Sequence, residues 1–477
     1  MAIVPPRDNT TTVGSFGNVA SDLVVGSLLF ALYKMQASDK NWVFRSVARP
    51  VSQTAKASSP SHAPTGRVGP VAAIVMLVVV AASYVVNAMD RQVFPVVLPN
   101  IRSDLGFSLA QGGLLATIFT LGIGVAGVPS GYLLDRISRK TVMLIGILLY
   151  SAFTILTAHA FGFADMFGYR ALSGVGEAMQ NAALFSAVGA YFFANRALAV
   201  GSLNFAYGLG GFIGPLLGSH LATSTGAWQA PFYLFGAIGL VFVVLIAVVV
   251  KRKFTEQVDV PVSAAGSRDF DHVPANLFNR NMLLLGVAAV VVGVAMYGYI
   301  GLYPTFLREQ LGFSTGQAGF AASMFGLGAL FGIPAGWIGD RFNQRNVMIG
   351  SLLVGCVVGW LLFNGPTSVG LQDLLSFAEG AVASGFLFVN IYSAMQRAAR
   401  PHMIGRASGL YVASFYVPAA VAGYLFSELV GWVGWGGAAL WQLTVLPVVA
   451  VVALLFVDPR RFNNATPARS AVPVEPG

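Results

Sequence analysis

Apolar runs of membrane-crossing length alternate with short polar connections along most of the chain. Runs of roughly 20 residues are needed to span a bilayer as a helix. Twelve occur, near 71–98, 110–134, 141–161, 166–191, 201–221 and 228–250, then 281–307, 316–339, 346–363, 371–394, 407–429 and 435–456. The pattern predicts an all-α membrane protein with twelve transmembrane helices. Residues 1–70 break the rhythm, being polar and rich in Pro, Ser and Thr around one apolar island, Leu23–Met35. That island is short for a span and far in for a signal peptide. It reads equally as an interfacial helix or as part of a dispensable tail.

The connections carry the topology. One set of loops holds Arg136, Arg139, Lys140, Arg196, Lys251, Arg252, Lys253, Arg268, Arg280, Arg341, Arg345, Arg397, Arg400 and Arg406. The opposite set holds little beyond Arg102 and Arg308. The positive-inside rule places the first set and both termini in the cytoplasm. The formal charge of +9 is thereby a topology signal and requires no nucleic-acid partner. Only 10% of residues are charged and 56% are hydrophobic, against about 25% charged in soluble chains. The lone Cys356 excludes an intramolecular disulfide. No metal cluster, nucleotide loop or nucleophile–base arrangement is apparent, so neither an enzyme nor a cofactor is expected.

The chain also repeats. "LGFSLAQGG" at 105–113 returns as "LGFSTGQAG" at 311–319, and "PSGYLLDR" at 129–136 returns as "PAGWIGDR" at 334–341. The offsets, 206 and 205 residues, imply two six-helix halves, 71–250 and 281–456. A cytoplasmic loop, 251–280, joins them, and 457–477 forms a cytoplasmic tail. Repeated halves about a central site are the usual architecture of secondary transporters.

On these motifs, residues 71–456 resemble the major facilitator superfamily. "GYLLDRISRK" is similar to that family's loop motif, with Gly131, Asp135, Arg136, Arg139 and Lys140 in pattern and Ser138 in place of a glycine. The departure is expected to loosen the turn. The second copy keeps Gly336, Asp340, Arg341 and Arg345. The resemblance implies a cytoplasmic gate held by charge pairs, with Asp135 pairing to arginines across the halves. The bland alternative is a solvated basic loop. "YGLGGFIGPLLGS", with Gly210, Gly214, Pro215 and Gly218, resembles a fifth-helix motif of the family's antiporters, although small residues at that spacing also serve close packing alone.

Four ionisable residues lie inside apolar spans. Asp90 and Arg91 sit in the first, Arg170 and Glu177 in the fourth. A separation of seven returns to nearly the same helix face, and intramembrane charges usually mark transport pathways. This quartet resembles the organic-anion branch of the superfamily, which includes sugar-acid and other carboxylate symporters. "SGVGEA" also resembles the spinster-like branch. The first resemblance implies that Arg91 holds a substrate carboxylate beside Asp90, and that Arg170, a second candidate for contact with substrate, forms the fourth-helix coupling pair with Glu177. Glu177 is the expected main proton carrier, with Asp90 tuning Arg91 or carrying a second proton. The plainer alternative makes Asp90–Arg91 and Arg170–Glu177 static ion pairs. Tyr297, Tyr299, Tyr303, Asn390, Tyr392, Ser414 and Tyr416 are the polar groups that the second half can offer a substrate, and Glu379, in the tenth span without an obvious partner, is a second-rank proton candidate.

The sequence therefore predicts a monomeric inner-membrane symporter that takes up a small organic anion with protons by alternating access. The alternative is a proton-coupled exporter of drugs or lipids.

Overall fold

The computed structural model describes residues 68–192, 196–256, 272–400 and 403–462. The apolar island at 23–35 and Arg268 lie outside them. Among the described residues there is no strand. The first half comprises α1 (Pro70–Leu105), α2 (Leu109–Leu134), α3 (Arg139–Thr157), α4 (Phe163–Tyr191), α5 (Arg196–Thr225) and α6 (Ala230–Val249). The second begins with α7 (Arg280–Glu309), α8 (Thr315–Arg341), α9 (Gln344–Asn364) and α10 (Val369–Arg397). A final helical stretch, Ile404–Leu455, is 52 residues long. Gly434, at φ 72° and ψ 174°, breaks it into α11 (404–433) and α12 (435–455). Ten stretches are long and apolar enough to cross a membrane. Among the described residues, dividing the last stretch at Gly434 and adding α4, which carries Asp165, Arg170 and Glu177, gives twelve long helices.

The repeated phrase LGFS-x-x-Q is a turn device. Gly106 and Gly312 adopt the left-handed conformation, at φ 69° and 68°, and stop α1 and α7. Only glycine takes that geometry without steric cost. Phe107 and Phe313 tuck inward, each 8% exposed. Ser108 and Ser314 then cap the next helix, and Gln111 and Gln317 return a hydrogen bond to the cap backbone. These are two reciprocal capping boxes. The stop at Gly106 also explains why α1 runs on to Leu105 through Pro95 and Pro99, past the boundary near 98 that hydropathy suggested.

The small residues of α5 are spent on α1. A methyl group on Gly210, Gly214 or Gly218 would strike Val85, Met89 or Val93, one turn of α1 for each turn of α5. The close approach brings α5 against the stretch that holds Asp90 and Arg91. Packing alone therefore accounts for these glycines.

The halves meet along α2–α11 and α5–α8, where Gly113 abuts Gly423 and Gly211 abuts Gly326. Apart from Tyr416 meeting Arg91 midway, the polar links found between them, among the described residues, lie on the side of the turn at Gly106. Arg102 pairs with Glu309 at 2.5 Å, and Arg308 donates to Asn100. Thr117 donates to the Ala420 carbonyl at 2.8 Å. At the opposite end, near Asp135 and Asp340, no hydrogen bond or ion pair joins the halves among the described residues. The molecule is thus fastened at one end only. Of the three tryptophans in the final helical stretch, Trp432 and Trp441 are exposed. Trp435 instead packs on Phe306, 5.6 Å between ring centres.

The glycine contacts give a direct test. Gly214→Ala places a methyl 2.7 Å from the Met89 Cα, an overpacking that should cost about 1–3 kcal/mol. Gly131→Ala, which meets nothing within 4 Å, should leave stability unchanged. Thermal unfolding of the two purified variants in the same detergent compares them, and equal unfolding temperatures would refute the assignment.

Candidate functional site

α1 and α4 face each other through long polar side chains rather than close backbone packing. On α1 these are Ser83, Asn87, Asp90 and Arg91. On α4 they run in the opposite direction as Gln180, Glu177, Ser173 and Arg170. Spacings of three, four and seven put the α4 set on one helix face, and on α1 Asp90 and Arg91 flank the line of Ser83 and Asn87. All eight residues are buried.

The ion pairs cross between the helices. Arg91 Nε bonds Glu177 Oε2, while Arg170 Nη1 lies 3.9 Å from Asp90 Oδ2. Neither pairing suggested by sequence adjacency occurs. Consecutive residues point about 100° apart on a helix, and residues seven apart are separated by about 10 Å along its axis. Each arginine therefore finds its acid on the facing helix. Ser173 Oγ stands 3.4 Å from both Asp90 Oδ2 and Glu177 Oε1. With one proton to donate, it serves one carboxylate at a time.

The two arginines differ in their surroundings. Arg170 lies over the rings of Phe94 and Phe119, at 4.6 and 5.1 Å. Its three guanidinium nitrogens have no hydrogen-bond partner in the protein. It belongs wholly to the first half, with Tyr150 and Thr154 of α3 near the same acid. Arg91 faces the other way. Its guanidinium sits 5.6 Å from the centre of the Tyr207 ring, with Tyr84 and Tyr416 also close. Tyr416 comes from α11 and stacks near Tyr297 of α7, 6.0 Å between centres. Tyr297 in turn meets Phe119 of α2 at 5.9 Å. Arg91 is therefore the charged group that looks toward the second half.

Of the second-half candidates, the structure brings Tyr297 and Tyr416 to the quartet and places the others elsewhere. Tyr299 hydrogen-bonds Ser376 at 2.7 Å and stacks on Tyr303 within the second half. Two residues along a helix is about 200° of rotation, so Tyr297 and Tyr299 cannot share a face. Asn390 donates to the Ala335 and Phe386 carbonyls and accepts from Gln344, which commits both of its side-chain N–H groups within the second half. Ser414 is half-buried against Gly286, a turn or more from Tyr297. Glu379 is buried in the second half with one carboxyl oxygen unpartnered.

Sequence reasoning missed the polar extension of the quartet. Asn87 donates to Gln180 Oε1 at 2.8 Å, and Gln180 donates to Ser83 Oγ at 3.1 Å. The signal was present as polar residues one turn from Arg91 and Glu177 on the same faces.

This fold and charge arrangement agree with comparison to known proteins. The profile of the Major Facilitator Superfamily matches residues 80–423 and again 285–475. The chain belongs to that superfamily. A hexuronate transporter of Bacillus subtilis (strain 168) is 26% identical over 305 residues, covering 62% of this chain and 72% of its own length. A D-galactonate transporter of Escherichia coli O6:H1 is 22% identical over 411 residues, covering 80% and 93%. The same fold is seen in a bacterial homologue of the human lysosomal transporter Spinster, solved inward-facing and unoccupied. Its TM-score is 0.64 at 19% identity, covering 83% of this chain and 99% of that one. The protein is a transporter and not an enzyme.

In this superfamily member the two loop motifs are alike in detail. Arg136 folds onto Tyr132 and Arg341 onto Trp337, four residues back, at 4.2 and 5.4 Å from the ring centres. Asp340 pairs with Arg397 of its own half at 2.5 Å. Asp135 makes no ion pair among the described residues, so the pairing across halves expected of it is not formed here. Ser138 does not loosen the turn. It caps α3 by accepting from the Thr141 N–H at 3.2 Å. Glu256 reinforces that start by accepting from the Arg139 and Lys140 N–H groups, both at 3.2 Å. The Lys140 side chain donates to the Ala247 carbonyl at 2.8 Å.

The polar extension is open to test by a double-mutant cycle. Gln180→Leu strands the Asn87 amide and should cost about 1–3 kcal/mol. Adding Asn87→Leu should recover part of that loss. Reversible unfolding in mixed micelles measures the coupling, and strictly additive effects would remove the bond from the account.

Proposed function

We propose that this protein takes up a small organic anion together with protons by alternating access. The observation that carries the reading is the buried Arg91–Glu177 pair, formed at the point where Tyr297 and Tyr416 bring in the second half. A buried carboxylate partnered by arginine is stable as an ion pair, but removing either charge leaves the other exposed to a strong desolvation penalty. Protonating Glu177 releases Arg91 with its charge intact. A substrate carboxylate can then take the two parallel hydrogen bonds that an arginine offers. When Glu177 gives up its proton on the other side, it competes again for Arg91 and displaces the anion.

The fastened end supports a direction. Under the positive-inside assignment, the Asp135/Asp340 end is cytoplasmic, so the links at Arg102–Glu309 and Asn100–Arg308 close the outside. Arg91 and Glu177 are then paired in an inward-facing arrangement, as the cycle asks of them before cargo is taken. Asp90 and Arg170 form a second pair behind the first, with Ser173 between the two acids. Arg170 acts on Asp90 rather than touching substrate, because Phe94 and Phe119 enclose it. Two relatives named for sugar acids, hexuronate and D-galactonate, support a carboxylate as cargo. The protein would work as a monomer in the bacterial inner membrane with both termini in the cytoplasm.

Liposomes with a trapped pH indicator test the proposal. Sugar acids, dicarboxylates and aromatic acids are added singly, and one class should acidify the lumen. Glu177→Gln should abolish proton-coupled uptake yet retain exchange of internal for external substrate. In exchange assays, wild-type affinity should fall as pH rises, whereas Glu177→Gln should show a flat profile. Arg91→Lys, which loses the bidentate geometry, should lower uptake at least ten-fold. If no anion moved protons, and a proton gradient instead drove an amphiphilic drug or lipid, the exporter reading would replace this one.

A further inference from the structure

A second basic site lies away from the quartet, at the Asp340 end of the second half. There the starts of α7 and α9 converge on the chain leaving α12. They enclose a pocket of about 570 Å³ lined by Arg280, Asn343, Arg345, Asp458 and Arg460. Three arginines face one acid, and that acid is already engaged. Asp458 pairs with Arg461 at 3.4 Å and accepts from the Arg460 N–H. Among the described residues, the side chains of Arg280 and Arg460 have no partner. Arg345 reaches the Val457 carbonyl at 3.3 Å through Nη1, while its Nε is buried without a hydrogen bond. The pocket also sits at two helix N-termini, whose partial positive charge favours an anion.

One wall of the pocket is apolar and turned outward. Leu455 and Phe456 belong to the lining yet are 56% and 57% exposed. Val448, Val449 and Val452 continue the exposed face along α12. A stripe of exposed hydrophobic side chains leading into an arginine cluster fits a ligand with an anionic head and acyl chains. Free phosphate would have no use for the stripe. Basic pockets at the cytoplasmic rim of a helix bundle are a known chemistry for acidic lipid headgroups.

We propose that this pocket binds the phosphate of an anionic phospholipid from the cytoplasmic leaflet, with its chains lying along α12. Arg280 and Arg460 supply the free charge and Arg345 the buried donor. The bound lipid would tie the beginnings of α7 and α9 to the end of α12.

The test uses purified full-length protein in neutral detergent, with thermal unfolding read as lipid is added. Phosphatidylglycerol should raise the unfolding temperature by several degrees more than phosphatidylethanolamine. Arg280→Gln/Arg460→Gln should lose that difference without shifting the unfolding temperature in detergent alone, since both side chains are exposed and unpaired. Lys251→Gln/Lys253→Gln, which removes two exposed charges from the first half, should retain it. Equal loss in the lysine variant would reduce the effect to diffuse attraction and overturn the site. Equal stabilisation by glycerol phosphate or inorganic phosphate would make the ligand a soluble anion and overturn the lipid. No preference for phosphatidylglycerol in the wild type would also end the proposal.

Discussion

The structure turns on the cost of keeping charge away from water. Two arginines and two carboxylates are buried between α1 and α4, and none can be left alone there without a large penalty. Their crossed pairing makes the two helices depend on each other through side chains at a place where their backbones do not pack closely. Any change in the protonation of one acid is therefore felt first as a change in what its arginine must find. In the proposed cycle, a freed Arg91 would meet its new partner on the side where Tyr207, Tyr297 and Tyr416 stand.

Other features serve this arrangement. The glycines of α5 draw that helix onto α1 over the turns that carry Met89 and Val93, which positions Tyr207 over Arg91. Phe94 and Phe119 cover Arg170 and shield it from competing solvent. The capping boxes at Ser108 and Ser314 end one helix and start the next within a few residues, so the fastened ends hold without long loops.

The two halves share their turns and loop motifs but divide the chemistry. Charges of the quartet all come from the first half, and the second supplies aromatic rings and hydroxyls. A ligand held by Arg91 would be reached from the second half by Tyr297 and Tyr416, so closure over cargo can be sensed without a second set of buried charges. The second half spends its arginines at its rim instead, around Asp340 and in the pocket beside Arg345.

Much of this was legible in the amino-acid order. Apolar run lengths gave the helices, because a bilayer admits no unpaired backbone, and the repeated phrases gave the halves, because each is a local turn whose cap and left-handed glycine lie within a few residues. Ionisable residues inside apolar spans singled out Asp90, Arg91, Arg170 and Glu177, and the structure buries and pairs all four, because such groups are too costly to leave alone in hydrocarbon. Which arginine meets which acid was not legible. It depends on the rotation and depth at which α1 and α4 face each other, and those are decided by packing between segments some 80 residues apart. The same holds for Tyr297 against Tyr299, for Asn390 spent on Ala335 and Phe386, and for Arg280, Arg345 and Arg460 gathered into one pocket. Sequence alone determined which ionisable residues stand inside apolar spans, since that follows from residue type and setting. Tertiary structure alone decided which of them meet, since contact is a property of distance between helices and not of order along the chain.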